Sequence, residues 1–170
     1  MVNKIVHLLV LFAFSDLVMA ADVSSISSIE ALSGNKPQLS VHAIGDQIYA
    51  CSLDSGTYAW KWQAPDAKLF DPQNQQLVGS HGAGPIWDYR DGSSVTAKMT
   101  QKVDSPDKSA VPWLLLEVTG HKGTGLLGKT GYILRINTKG GMAPATGCDG
   151  NHLGAKTRVP YSADYDFYNQ

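Results

Sequence analysis

The chain has 170 residues, with 14 Lys and Arg against 15 Asp and Glu, so its formal net charge is −1. A near-neutral chain without a basic run excludes nucleic acid and anionic membrane surfaces as charge-driven partners. This length builds one domain with a sizeable core, and its 17 glycines and 8 prolines point to short strands joined by tight turns.

The first element is a leader. Lys4 precedes an apolar run from Ile5 to Phe14, broken only by His7, and Val18 and Ala20 then supply a small-residue cleavage site. The run falls well short of the roughly 18 apolar residues that span a bilayer. Residues 1–20 are therefore expected to be a signal peptide cleaved after Ala20. That predicts a secreted or periplasmic protein with no membrane attachment. Residues 21–37 are polar and serine-rich and read as an arm. Residues 38–170 read as a single β domain.

Leu39–Ala43 and Gln47–Cys51 alternate at period two and are expected as two strands separated by a turn at Gly45-Asp46. Tyr58, Trp60 and Trp62 share one face of the next strand. Gln76–Ser80 and Ile86–Arg90 are short candidates. Asp91-Gly92 then predicts a type I′ hairpin, which requires positive φ at both central residues. Val95, Ala97 and Met99 line one face of the return strand, and residues 102–110 form a polar loop. Pro112–Val118 is apolar nearly throughout, as in a strand covered on both faces. Gly131–Asn137 follows a glycine-rich connection, and residues 140–154 are irregular. Val159–Tyr168 alternates clearly, with Pro160 suggesting an edge or a late start. The pattern predicts an all-β, single-domain antiparallel sandwich or barrel of about eight to ten short strands.

The two cysteines, Cys51 and Cys148, are expected to form a disulfide in an oxidising compartment. Two buried thiols or a metal pair are the alternatives. Gly123–Thr130 matches the G-x-x-x-x-G-K-[ST] pattern, but strand-like residues follow it where a phosphate-binding loop must open a helix, so it is read as a hairpin loop. Ser80–Gly84 resembles an esterase oxyanion loop without the G-x-S-x-G nucleophile that such chemistry needs.

The four histidines after the leader, His42, His81, His121 and His152, show no metal-ligand spacing. His81 stands out because its small neighbours leave it room. Glu117 and Arg135 fall in apolar strands, where a lone charge is costly, and are expected to pair with each other. Asp88, Asp91, Glu117, Asp164 and Asp166 are the acids from which a hydrolytic pair could be drawn. Trp60, Trp62, Trp87, Trp113 and Tyr165 either fill the core or stack on a ligand. The candidate ligand-binding residues are His81, Trp87 and Asp91. No catalytic set, metal or cofactor is assigned.

Seven spaced segments form a signature: Gly45–Cys51, Trp60–Leu69, His81–Trp87, Asp91–Ser93, Pro112–Leu116, Arg135–Pro144 and Tyr161–Tyr168. In this order they resemble the uncharacterised secreted family of bacteria, fungi and plants known as domain of unknown function 3455, over about residues 28–168. The resemblance implies a secreted β domain and supplies no activity or site. Two positions depart from the family's pattern. Residues 71–76 lack a glycine, and Gly82 stands in place of an aromatic residue. The leading expectation is a non-enzymatic extracellular or cell-surface binding protein for a glycan or small molecule. The alternatives are a hydrolase with a carboxylate pair and a metal-binding protein using His81.

Overall fold

The computed structural model describes Ile29, Leu32 and residues 34–170. The proposed leader and most of the 21–37 arm lie outside the described residues. Eight strands follow one another: β1 (Leu39–Asp54), β2 (Thr57–Phe70), β3 (Leu77–Gly82), β4 (Ile86–Tyr89), β5 (Ser94–Val103), β6 (Trp113–Lys122), β7 (Thr130–Gly140) and β8 (Lys156–Asn169). Each pairs antiparallel with its neighbour in sequence. β8 returns to β1, with Leu39 opposite Phe167 and Ala50 opposite Lys156, so the sheet closes into a barrel. Among the described residues, no helix is long and apolar enough to cross a membrane.

Two turn expectations are corrected by the structure. Gly45-Asp46 is not a turn, because β1 runs straight through it. Glycine is needed there for close approach: a Cβ on Gly45 would sit 2.2 Å from the Asp66 carbonyl oxygen on β2. The two-residue hairpin with both φ angles positive lies instead at Ser55-Gly56, with φ of 49° and 84°. At Asp91-Gly92 only Gly92 has positive φ. There the Tyr89 carbonyl accepts from Gly92 N–H and Tyr89 N–H donates to Ser93, giving a three-residue loop with glycine in the left-handed position. Pro160 sits on the stretch of β8 that pairs with β1 alone, a local edge at the mouth of the closed barrel, in line with its missing N–H. It lies one place beyond Tyr161, where pairing to β7 ends, so no ladder bond on that side needs its missing N–H.

Alternation sends one set of side chains inward. Val41, Leu69, Val78, Val95, Ile133 and Phe167 fill one end of the barrel. Leu127, from the short 3₁₀ turn Leu126–Lys129, is buried among them and plugs that end. The segment that matched the phosphate-loop pattern is thus a turn leading straight into β7. A second apolar cluster lies outside the barrel, where Ile29 and Leu32 pack with Leu115, Leu134 and Tyr168. This cover explains why Pro112–Val118 is apolar at both parities.

Strand lengths shape the other end. β1 and β2 have 16 and 14 residues, whereas β3 and β4 have 6 and 4. The wall therefore stands high at the β1–β2 hairpin and low at the Gly82–Pro85 turn. Cys51, near the top of β1, is joined to Cys148 in the β7–β8 loop, with 5.2 Å between Cα atoms. The same loop accepts a hydrogen bond from Trp60 Nε1 at Thr146.

Candidate functional site

The high-walled end of the barrel holds a cavity of about 570 Å³. Its floor is made by His81 and Trp87, brought side by side because β3 and β4 pair them in register. Their rings stack at 4.0 Å between centroids, 12° from parallel. Tyr165 from β8 meets both edge-on, at 5.1 and 5.5 Å. Leu114, Leu116 and Met99 form an apolar wall, and half-exposed Trp62 stands at the rim.

His81 is 4% exposed, and its Nδ1 lies 2.9 Å from the Ile86 carbonyl oxygen. A carbonyl only accepts, so Nδ1 carries the proton and donates, leaving Nε2 as a bare acceptor. Burial pulls its pKa down to about 3, so the ring is neutral at neutral pH. Its ring neighbours are aromatic rather than a second histidine or an acid, and no group of three His, Cys, Asp or Glu able to hold a metal occurs among the described residues.

The polar groups around the cavity are mostly donors. Trp62 Nε1 donates to Gln47 Oε1 at 2.5 Å, which fixes the orientation of a side chain only 1% exposed. The Gln47 amide nitrogen is then buried without an acceptor among the described residues, as is Trp87 Nε1. The Tyr161 and Tyr165 hydroxyls are also buried, close to each other and, for Tyr165, to the Arg135 guanidinium, and burial raises the pKa of both. Tyr49 differs, donating to the Gly141 carbonyl at 2.6 Å. Arg135 projects inward from β7 and lines the cavity, and Lys102 stands at its edge. Among the described residues, no carboxylate lines it.

Of the candidate residues, the structure brings His81 and Trp87 together and places Asp91 at the opposite end. The Asp91 carboxylate accepts from Leu126 N–H at 2.6 Å and from the Ser93 backbone and hydroxyl at 2.9 and 2.5 Å. Ser93 Oγ in turn accepts from Leu127 N–H at 3.1 Å, so Asp91 and Ser93 anchor the plug. These bonds hold the Asp91 carboxyl below the usual range.

The expected Glu117–Arg135 pair does not form. The register sets Leu114 opposite Arg135 and Tyr132 opposite Glu117. Glu117 therefore points outward, 3.0 Å from Lys98, while Arg135 points inward and donates to the Pro112 carbonyl from Nε and Nη2, at 3.2 and 2.8 Å. Asp164 and Asp166 lie on the outer face. Asp164 is bound by His42 and Asn137, and Asp166 by Ser40.

Gln47 and Arg135 were not singled out as binding residues by sequence reasoning. Their signal was a polar side chain at an inward parity, Gln47 in step with Val41 and Ala43 and Arg135 in step with Ile133. Comparison with curated proteins and with solved structures finds no match. The model of one family, described as proteins of unknown function (DUF3455), matches residues 32–169. That span takes in every strand of the barrel, its plug and its mouth, and the chain belongs to this family.

Proposed function

We propose that this protein is exported and acts as a binding protein for a small, largely apolar molecule held in the barrel mouth. The cavity carries the reading. Its volume of about 570 Å³ falls within the range of small-molecule sites, and its surface is apolar apart from a few convergent polar groups. Eight strands make a barrel just wide enough to hold one small ligand. The leader-like segment and the Cys51–Cys148 bridge support an extracellular place of work. A glycan fits less well, because among the described residues no carboxylate lines the cavity to accept from sugar hydroxyls.

The test is titration of the disulfide-bonded protein with the apolar fluorophore N-phenyl-1-naphthylamine. Saturable enhancement at one site per chain is expected. Leu114→Trp, which fills the cavity from its wall, abolishes the enhancement while circular dichroism reports an intact fold. No saturable enhancement with the unsubstituted protein refutes the proposal.

A further inference from the structure

We infer that the molecule held in the barrel mouth is an organic acid whose carboxylate seats on Arg135. The inference rests on the cavity reading above and specifies the chemistry of its ligand. Charge compensation is the first ground. The exposed Arg158 is held by two carboxylates, Asp46 and Asp66, at 2.9 and 2.6 Å. Arg135 is half-buried in an apolar cavity and has no ion-pair partner among the described residues. A cation withdrawn from water without a counter-charge is costly, and an incoming anion removes that cost.

Hydrogen-bond geometry is the second ground. A guanidinium has five N–H donors in a fixed fork. The Pro112 carbonyl takes the Nε–H and one N–H on Nη2. The remaining edge has one N–H on each terminal nitrogen, side by side, which matches the two oxygens of a carboxylate, with the Tyr165 hydroxyl close by. The third ground is the surplus of donors around it. Gln47 Nε2 and Trp87 Nε1 are buried without acceptors among the described residues, and Lys102 adds positive charge at the edge. A ligand rich in acceptors at one end satisfies these groups, while its apolar body lies along Leu114, Leu116 and Met99. The ligand class is thus an amphipathic monocarboxylate.

Displacement of N-phenyl-1-naphthylamine by decanoate and by decanol, at neutral pH, tests the head group with one tail held constant. Decanoate is expected to displace the fluorophore at a concentration roughly 10- to 100-fold lower than decanol, the scale of a charge-assisted bidentate contact. Arg135→Gln abolishes that preference, whereas Arg135→Lys keeps part of it. Equal displacement by the acid and the alcohol in the unsubstituted protein overturns the inference and leaves the cavity reading standing. A fluorophore that never binds removes both. Retention of the full preference in Arg135→Gln refutes the seat on Arg135. Should that variant fail to fold, the comparison of acid with alcohol in the unsubstituted protein still decides the head group.

Discussion

Acidification from about pH 7 to about pH 4.5 destabilises the barrel through His81. In the folded protein this ring is 4% exposed, stacked on Trp87 and edge-on to Tyr165, and its pKa is held down to about 3. In the unfolded chain the ring returns to about 6.5. Between those values the unfolded state binds a proton that the folded state refuses, so stability falls as pH falls. One group with these two values loses about 2.5 kcal/mol between pH 7 and pH 4.5, and about 4–5 kcal/mol by pH 3. The upper part of this window belongs mainly to His81. The carboxyls of Asp54, Asp91, Asp107 and Asp149 are lowered, so they lose their contribution as pH falls through the usual carboxylate range toward their folded pKa values, at the bottom of this window and below it. Asp166, raised by burial and then by Asp164, takes up its proton more readily when folded and acts in the opposite direction. Urea denaturation followed by circular dichroism at a series of pH values measures the slope. His81→Gln lowers stability at neutral pH but flattens the dependence above pH 4.5. An equal slope in the variant and the unsubstituted protein refutes the assignment.

Cys51→Ser and Cys148→Ser are each expected to cost about 2–5 kcal/mol, since the bridge spans 97 residues, and the double variant no more than either single. Losses that simply add, read from denaturant midpoints, contradict a shared bond. Asp91→Ala removes the acceptor of Leu126 and Ser93 at the plugged end and lowers stability by about 1–2 kcal/mol. It leaves fluorophore affinity unchanged. A fall in affinity at full occupancy of the folded state would return Asp91 to the binding residues.

The period-two pattern made the strands legible because a barrel has one inside and one outside, and Val159–Tyr168 shows both parities in clear alternation. The double-sided apolar character of Pro112–Val118 was also legible. Its cover was not, since Ile29 and Leu32 come from a segment whose polar composition reads as a free arm. Gly45 misled because glycine marks both a turn and a close approach of backbones, and only the presence of β2 beside it decides which. The bridge between the cysteines needed only a count of two. The seat at Arg135 was hidden by register. A shift of the β6–β7 connection sets which residue faces Glu117, and that connection is held by the Asp91 and Ser93 side chains from another hairpin. His81 and Trp87 were within reach because both flank a short hairpin, which places them as neighbours whatever the rest of the sheet does.

The seam where β8 meets β1 has a consequence for the order of assembly. Every other pairing joins strands adjacent in sequence and can form as a local hairpin, but Leu39 must find Phe167 across nearly the whole domain. Distant pairings of this kind slow folding, because the chain loses loop entropy before any contact offsets it. Cys51 and Cys148 stand just beyond the Ala50–Lys156 end of that seam. Once they are joined, Ala50 and Lys156 are separated by a short tether rather than by six strands. A chain oxidised before it folds zips its last seam from the bridge downward, and the same chain kept reduced must find it by diffusion. The bond thus acts on the rate of closure as well as on the depth of the folded state.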